Sequence, residues 1–466
     1  MCEFRTHLGG IGVTIWVAET PPGFVASQPS VGAHGPGAAL WTPRSDGSER
    51  FREGGPARLV RTPLDQARRP SILQVQDPIV VVSAKRTPIG RFFGALSGHT
   101  GVELGTLVVR SLLDDLGGRV LPTRVLLGSA RQAGTRPNPA RQVAIRAGLP
   151  ETTVASTINM ACASGLEAIA DGVRRILTGE AEFVLAGGIE SMTRVPYLLD
   201  RARTGYRLGH GEVIDSMYRD GFECPLAEQL MGETAETLAK QYDISRLEQD
   251  EFAVTSQMRA VAARDSGRFD DELVSVPSSK KPDEVALARD EHPRPGTTVE
   301  SLAKLPPVFA EDGTVTAGNA SGITDGAAAV LLTTRSRAEA SGLDILATLR
   351  AYEVAGVDPR VMGIGPVPAV RALMEKEALS LGDVDLIELN EAFAAQVIAC
   401  DRELGFDRDR LNVNGGAIAL GHPIGCTGAR ITVSLLHEMR RRDVRRGIAT
   451  LCVSGGLGMA MLFERG

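Results

Sequence analysis

The sequence predicts an α/β fold that is built twice, with a separate segment inserted between the two halves. Three observations support this prediction. Short apolar runs alternate with amphipathic segments, the same alternation begins again near Ile345, and residues 193–320 interrupt it. Strands that alternate with helices form a sheet with helices packed on its faces. The 466 residues, 43% of them hydrophobic, are enough to build such cores.

The first half of the pattern covers residues 78–192. The run PIVVVSA is apolar and β-branched, and VELGTLVVRSLLDDLG after it has helical spacing. The strands RVLLGS, VASTINMA and AEFVLAGGIES then alternate with the helices NPARQVAIRAGL and ASGLEAIADGVRRILTG. Residues from about 321 to 342 are expected to complete this half.

The second half covers residues 343–466 and repeats the alternation. It contains ILATLRAYEVAG, the helix PAVRALMEKEA, then DVDLIELNEAFAAQVIA, LNVNGGAIALG with a following helix, and GIATLCVSGGLGMAMLFE. VLAGGIES in the first half and LCVSGGLG in the second each end a strand in small residues. This local match predicts an internal duplication.

Two segments depart from the alternation. Residues 193–320 carry two helical patterns, ETAETLAKQYDI and LEQDEFAVTSQMRAVAARDSG, among charged loops, and predict a ligand-binding insertion. Residues 1–77 are rich in Gly, Pro and Arg and show no sustained period, so they are predicted to be mostly disordered. Seven acidic residues in this segment argue against a transit peptide, and an upstream extension from a misplaced start codon is the preferred interpretation.

Charge and cysteine pattern exclude several classes of protein. The net charge is −6 and no apolar run approaches the roughly 20 residues of a membrane helix, so neither nucleic acid nor membrane is an expected partner. The cysteines show no CxxC pair and no metal-ligand spacing with histidine, so no metal site is expected. Their scatter favours a reducing cytoplasm. They are Cys2, Cys162, Cys224, Cys400, Cys426 and Cys452.

Cys162 lies where a β-branched run meets a helix, in INMACASGLEAIA. A cysteine at a helix N-terminus feels the positive end of the helix dipole, which stabilises the thiolate and makes it a nucleophile. Its small neighbours leave room for a substrate. A buried structural cysteine is the alternative, and it is the commoner fate of a lone cysteine.

His422 lies in the glycine-rich run NVNGGAIALGHPIGCTGAR. Neither a GxxxxGK[ST] phosphate loop nor a GxGxxG motif between strand and helix is present. Gly421 permits an unusual backbone angle and Pro423 fixes the chain beyond, so the histidine is held at a turn. A held imidazole can act as a general base toward a thiol, and a histidine that only caps a turn is the alternative.

Two further junctions carry polar groups. In TLCVSGGLGMA a strand ends at Cys452, and the small residues after it offer free backbone N–H groups that can form an oxyanion hole. In ELNEAFAAQV the pair Asn390 and Glu391 stands between an apolar strand and an apolar helix. Packing for Cys452 and helix capping for Asn390 remain open at this point.

Together these motifs resemble the signatures of the thiolase family. INMACASGLEAI, NEAFA, NVNGGAIALGHPIGCTGAR and CVSGG occur in that family's order and spacing, and the resemblance covers roughly residues 78–466. It also includes GGIESMTRVPYLL and TVTAGNASGITDGAAAVLL. The resemblance implies a thiolase-like α/β fold of duplicated βαβαβαββ halves in α-β-α-β-α layers. The inserted loop domain at 193–320 would bind CoA.

The resemblance also implies a reaction: acyl-CoA and acetyl-CoA combine reversibly to 3-ketoacyl-CoA and CoA, by ping-pong chemistry through an acyl-cysteine. Cys162 would be the nucleophile after His422 takes its proton, and Cys452 would move the second proton. Two oxyanion holes are implied, one from His422 with a water held by Asn390, the other from the N–H groups of Cys162 and Ser454. Thiolases often have glycine at the position of Ser454, so this residue would be strained only if the position demands a positive φ.

For CoA, the resemblance implies contacts within the insertion and the strand that follows it. Ser321 would meet the pantetheine amide, and Leu230 stands where some acetoacetyl-CoA thiolases have histidine, which leaves the chain length open. The other implied contacts are Ala320, Phe309 and Met231 along the channel, with Arg294 and Ser301 near the adenosine end. No tightly bound cofactor is implied, and a cytoplasmic homodimer or homotetramer is expected.

Three hypotheses remain to be compared. The first is an active thiolase. The second, a decarboxylating condensing enzyme, would pair its cysteine with two histidines, but Cys452 is present instead. The third, a non-catalytic thiolase-like carrier of lipid or acyl-CoA, predicts the loss of Cys162 or His422, and both residues are intact. The sequence therefore favours the active enzyme.

Overall fold

The computed structural model describes residues 2–8, 11–17 and 77–466. The chain divides into two compact units, Met1–Arg58 and Leu59–Gly466. In the first unit, strands β1 (Cys2–Leu8) and β2 (Ile11–Val17) pair in antiparallel fashion. Most of the segment predicted to be disordered lies outside the described residues, so that prediction stays a prediction.

The second unit contains all the elements expected from the alternating pattern. Its strands are β3 (Ile79–Arg86), β4 (Gly90–Arg91), β5 (Arg124–Gly128), β6 (Val154–Ile158), β7 (Val184–Ser191), β8 (Tyr197–Leu198), β9 (Ile214–Asp215), β10 (Glu223–Cys224), β11 (Gln229–Leu230), β12 (Val276–Pro277), β13 (Val285–Leu287), β14 (Thr324–Thr334), β15 (Ala347–Gly356), β16 (Leu386–Leu389), β17 (Arg446–Val453) and β18 (Leu457–Glu464). Its helices are α1 (Gly101–Leu116), α2 (Pro139–Arg146), α3 (Ser164–Leu177), α4 (Met231–Gln241), α5 (Arg246–Asp265), α6 (Val299–Leu302), α7 (Arg335–Ala340), α8 (Pro366–Glu377), α9 (Ala394–Leu404), α10 (Ala417–Leu420) and α11 (Ile424–Arg442).

The main sheet has the same strand order in both halves of the unit. Its order is β16-β17-β18-β15-β3-β14-β7-β5-β6, and β4 pairs with β14 at the side. Each half begins with the strand nearest the centre, β3 or β15, and its last strand, β14 or β18, lies beside that first one. Leu411 forms an isolated parallel β-bridge with Ile387, at the position that corresponds to β6 of the first half. This repeated topology confirms the predicted duplication.

Buried apolar clusters separate five layers. One cluster joins α3 and α11 to both half-sheets and includes Leu166, Ile431 and Phe463. A second packs α1 and α2 on the outer face of the first half-sheet, and a third packs α8 and α9 on the outer face of the second. Within residues 77–466, the half-sheet of the first half pairs with that of the second through two residue pairs between β3 and β15. This short connection lets the two half-sheets pack on opposite faces of the central helices. The α-β-α-β-α arrangement is therefore confirmed.

The two central helices approach each other closely because of glycine. A Cβ atom at Gly165 in α3 would lie 2.7 Å from the backbone nitrogen of Ala429 in α11. A Cβ atom at Gly428 would lie 2.4 Å from the backbone nitrogen of Leu166. Cys162 lies two residues before the start of α3, and His422 lies two residues before the start of α11. This contact therefore sets the spacing between the two residues.

The insertion is anchored to the first half through a buried ionic network. Arg86 at the end of β3 donates to Glu272 Oε1 at 2.5 Å and to the two carboxylate oxygens of Asp290 at 2.7 and 2.9 Å. Ser434 of α11 also donates to Glu272, at 3.0 Å. Both helices predicted within the insertion are present, as α4 and α5. The predicted boundaries at 192 and 320 stay predictions.

Among the helices of the described residues, none combines the length and the apolar composition needed to cross a bilayer.

We predict that Gly165→Ala destabilises the protein, because the new methyl group meets backbone atoms of α11 that cannot move aside. The expected loss is about 1–3 kcal/mol, the usual cost of overpacking. Gly356→Ala is the matched control, because its nearest atoms would be 3.9 Å away. Thermal denaturation of both variants tests this. Equal melting temperatures for the two variants would show that the helices can separate without cost.

Candidate active site

The predicted catalytic residues lie at the carboxyl ends of strands or at the amino ends of helices. Cys162 belongs to the short 3₁₀ turn Ala161–Ala163 that leads into α3, and Cys452 is the penultimate residue of β17. Asn390 directly follows β16, and His422 lies between α10 and α11. The structure therefore gathers four segments that are distant in the sequence at one edge of the molecule.

A strained turn presents Cys162. Ala161 has a φ of 45°, which is uncommon for a residue with a Cβ atom. Side-chain hydrogen bonds hold this conformation: the Ala161 N–H donates to Asn159 Oδ1 at 2.9 Å, and the Ser164 hydroxyl donates to the Ala161 carbonyl at 2.7 Å. Cys162 is partly buried and is a free thiol.

Burial sets the protonation state of Cys162. It raises the pKa of the thiol, and this effect outweighs the backbone N–H of Ser454, the charge of Arg131 and its own backbone N–H, which all lower it. Desolvation is therefore larger than the thiolate stabilisation expected at the helix N-terminus, which fits the expectation that His422 takes the proton of this thiol. The N–H groups of Ser454 and Cys162 nevertheless act on one sulfur, which brings the predicted oxyanion donors together.

Serine is compatible with the backbone after Cys452. The residues in this turn with positive φ are Gly455 and Gly456, at 89° and 85°, whereas Ser454 is not in that region. Ser454, at a position where thiolases often have glycine, therefore imposes no backbone strain on the turn.

His422 is held by a buried hydrogen-bond chain. The Thr427 hydroxyl donates to the Pro423 carbonyl at 3.0 Å, so its oxygen accepts from His422 Nδ1 at 2.6 Å. The proton is thus assigned to Nδ1, and the lone pair of Nε2 faces the Asn390 amide nitrogen at 3.5 Å. Burial lowers the pKa of His422 to about 3, with further lowering by the charges of Arg430 and Arg131. The imidazole is therefore a neutral base.

The side chain of Glu391 holds the loop before His422 in place. Its buried carboxylate accepts hydrogen bonds from Ser256 at 2.6 Å, Asn412 at 2.8 Å and the Ile418 N–H at 3.1 Å. Gly421 has a φ of 103°, in accordance with the expected unusual backbone angle. These contacts fix the position of the histidine through the loop that carries it.

Asn390 is fully buried beside His422. Its Nδ2 lies 3.5 Å from His422 Nε2, and its backbone N–H donates to the Thr450 carbonyl at 3.0 Å. Within residues 77–466, its Oδ1 has no hydrogen-bond partner. The helix-cap alternative is wrong, because α9 begins at Ala394 with Phe393 as its N-cap. A buried acceptor of this kind suits a small polar ligand such as water.

Cys452 lies in an apolar cluster with Ala392 and Phe393. Burial raises the pKa of its thiol well above the ordinary value, and the neighbouring Cys162 raises it further. Three of the predicted channel residues, Met231, Phe309 and Ala320, pack against the same cluster. The structure therefore brings the second thiol together with the predicted CoA channel.

The remaining predicted CoA contacts fall into two places. The Ser321 N–H donates to the Ala392 carbonyl at 3.0 Å, which places Ser321 near the Cys452 cluster. Arg294 and Ser301 instead line a cavity of about 240 Å³ together with His292. Ser321 thus lies near the second thiol, whereas Arg294 and Ser301 lie at a cavity that carries a cation.

Sequence reasoning missed two residues that build the site. Thr427 orients His422, and its five-residue spacing from the histidine in GHPIGCT is the signal that points to it. Glu190 is a buried acid at the end of an apolar strand. Its carboxylate accepts from the N–H groups of Ala130 at 3.0 Å and Gly425 at 2.8 Å, which ties the start of α11 to the loop after β5.

Comparisons with known proteins agree with this geometry. The N-terminal domain of thiolase matches residues 79–336, and the C-terminal domain of thiolase matches residues 343–465. The chain is 52% identical to an acetyl-CoA acetyltransferase of Pseudomonas aeruginosa over 392 residues, which cover 83% of this chain and 99% of that protein.

Solved structures are similar over the same region. The crystal structure of the Bacillus anthracis acetyl-CoA acetyltransferase aligns with a TM-score of 0.81 at 48% identity, covering 83% of this chain and 98% of that one. Human mitochondrial 3-ketoacyl-CoA thiolase in complex with CoA aligns with a TM-score of 0.81 at 41% identity, covering 85% and 99%.

We predict that Thr427→Val disturbs His422 without unfolding the protein, because valine has a similar shape but cannot accept the Nδ1 proton. Nitrogen NMR of the imidazole should show the Nδ1–H tautomer in the wild type and a mixture in the variant. Transfer of an acetyl group from acetyl-CoA to Cys162 should slow about 10- to 100-fold. Thr427→Ser should preserve both properties; a wild-type spectrum for Thr427→Val would contradict the assigned hydrogen bond.

We predict that Cys162 is a protonated thiol at neutral pH, because its pKa is raised. Its alkylation by iodoacetamide should therefore accelerate about tenfold per pH unit from pH 7 to at least pH 9. Peptide mass spectrometry identifies the modified cysteine, and the Cys162→Ser variant is the negative control for alkylation at this position. A rate that is already constant below pH 8 would show a resting thiolate instead.

Proposed function

This chain belongs to the thiolase family, and we propose that it catalyses reversible acyl transfer, from acyl-CoA and acetyl-CoA to 3-ketoacyl-CoA and CoA. The observation that carries the proposal is the pair of neighbouring thiols, Cys162 and Cys452, beside the neutral imidazole of His422. Asn390, which contacts His422 Nε2, lies two residues before Ala392 in the Cys452 cluster. The relatives named acetyl-CoA acetyltransferase support the same reaction for this chain. The intact thiols and imidazole disfavour a non-catalytic acyl-CoA or lipid carrier.

In the first step Cys162 becomes acylated. Its thiol and the imidazole are both neutral, so the proton passes to His422 Nε2 as the sulfur attacks the thioester carbonyl. The bond from Cys162 Sγ to the acyl carbon forms, the bond from that carbon to the CoA sulfur breaks, and CoA leaves with the proton. The N–H groups of Cys162 and Ser454 stabilise the oxyanion.

In the second step Cys452 first gives its proton to His422 Nε2, and the resulting thiolate takes a proton from the methyl group of acetyl-CoA. The carbanion attacks the acyl carbonyl, a carbon–carbon bond forms, and Cys162 leaves as the thiolate, which takes the proton back from His422. A water held by Asn390, with His422 in the form that carries a proton on Nε2, stabilises the enolate oxygen. Thiolysis is the same sequence in reverse, with Cys452 returning the proton to carbon.

CoA is proposed to bind along the insertion. Its pantetheine arm would pass Ser321 and the cluster of Met231, Phe309 and Ala320, which packs around Cys452. Arg294 and Ser301 would meet the adenosine end, since they line one cavity. CoA thioesters are substrates in this proposal, and no tightly bound cofactor takes part.

We also propose the compartment, the oligomeric state and the metabolic role of the enzyme. The five cysteines within residues 77–466 are free thiols, which suits a reducing compartment and hence the cytoplasm. A homodimer or homotetramer and a role in fatty acid metabolism follow from the family resemblance.

We predict that Cys452→Ala separates the two steps. The variant should still be acetylated on Cys162 by acetyl-CoA, because Cys452 moves only the second proton. Condensation and thiolysis should fall by about two to four powers of ten, the usual effect of losing a positioned acid or base. Intact-protein mass spectrometry and acetoacetyl-CoA thiolysis measure the two effects.

Two controls complete this experiment. Cys162→Ser should form no acyl-enzyme, and Cys224→Ala, which removes another buried thiol, should behave like the wild type. An acetyl group on a residue other than Cys162 in the wild type would contradict the assignment of Cys162 as the nucleophile. Full thiolysis by Cys452→Ala would mean that another group moves the proton.

A further inference from the structure

Arg131 is a buried cation beside the nucleophile. Only 6% of the residue is exposed, yet its side chain makes no ion pair with any carboxylate of the described residues. Its Nη1 donates to the Asp220 carbonyl at 3.1 Å, and its buried Nε has no hydrogen-bond partner there. Burying a charge without a partner is costly, so this arginine is expected to meet an anion when the protein works.

Arg131 lines a cavity of about 350 Å³, and its chain neighbour Ala130 belongs to a cluster against which Cys162 packs. Its charge is close enough to lower the pKa of Cys162 and of His422. Three more arginines, Arg136, Arg146 and Arg194, line the cavity, and none of them is in an ion pair within residues 77–466. Four guanidinium groups around one space create a positive potential that favours an anionic occupant.

The two acidic residues in the wall of this cavity are already engaged. Glu190 accepts hydrogen bonds from backbone N–H groups on both sides of the site, including that of Arg131 at 3.2 Å. Glu103 accepts from the N–H and hydroxyl of Thr100 at 2.8 and 2.9 Å, as the capping box of α1. The charge of Arg131 also lowers the pKa of Glu190, and that of Arg146 lowers the pKa of Glu103, although neither pair is in direct contact. Four arginines therefore face two acids that are already hydrogen-bonded to the backbone.

The cavity and the proposed CoA channel adjoin the two thiols through different clusters. Along the channel, Cys452 packs with Met231 and Phe309. Cys162 packs against the cluster of Ala130 and Met217, which also contacts Val195 in the cavity wall. An acyl group on the Cys162 sulfur, with CoA leaving along the channel, would extend toward Arg131.

We propose that Arg131 selects acyl groups that end in a carboxylate. This inference rests on the proposed function and names its substrate class: CoA thioesters of dicarboxylic acids, and the 3-ketoacyl-CoA compounds that they form with acetyl-CoA. The guanidinium would bind the terminal carboxylate through its fork of N–H groups. The bonds made and broken are those of the acyl transfer, and the carboxylate is unchanged throughout.

The test compares thiolysis of two substrates of similar length, 3-oxoadipyl-CoA with a terminal carboxylate and 3-oxoheptanoyl-CoA with a terminal methyl group. The wild type should favour 3-oxoadipyl-CoA in kcat/KM by at least about tenfold. Arg131→Leu should lower this preference about 100-fold, and Arg131→Lys should keep part of it because it keeps the charge. The exposed Arg207→Leu, outside the cavity, should keep the wild-type preference.

Three outcomes would overturn the inference. The first is a wild type that favours 3-oxoheptanoyl-CoA. The second is an Arg131→Leu variant that loses the same factor with both substrates, which would make Arg131 an activator of Cys162. The third is an Arg131→Lys variant, folded by thermal denaturation, in which the preference has vanished. Acetoacetyl-CoA is the reference substrate: a wild type inactive with all three substrates would refute the proposed function itself.

Discussion

The close approach of α3 and α11 is the constraint on which the site depends. Two glycines, Gly165 and Gly428, let the helices pack backbone to backbone in the middle layer. Each helix carries one reactive residue at its amino end, so the helix spacing is also the spacing of nucleophile and base. Close-packed interiors transmit small displacements, and a single methyl group in this contact is therefore felt at the site.

Burial then decides the chemistry of the residues brought together. Desolvation disfavours charge, so it raises the pKa of both thiols and lowers that of the imidazole. The result is a set of neutral groups in which protons move during the reaction rather than before it. The buried N–H groups of Cys162 and Ser454 remain as donors for the charge that develops on the substrate.

Much of this architecture could be predicted from the sequence. Alternating patterns identified both halves, and the motifs around Cys162, His422 and Cys452 located the site. The protonation state of Cys162 could not be predicted, because desolvation depends on segments far away in the sequence. Likewise, Asn390 looked like a helix cap because nothing local shows that α9 begins at Ala394. Thr427 and Glu190 act through hydrogen bonds that only the folded chain creates.

The repeated topology places the predicted site residues at corresponding positions of the two halves. Cys162 and His422 precede equivalent helices, and Glu190 and Cys452 are penultimate residues of the equivalent strands β7 and β17. At that strand position one half has a backbone anchor, and the other has the thiol that we propose as the proton carrier. Neither half contains a full set of reacting groups, so the chain is in effect a fused heterodimer. Its two halves are free to diverge in sequence, but the chemistry requires both.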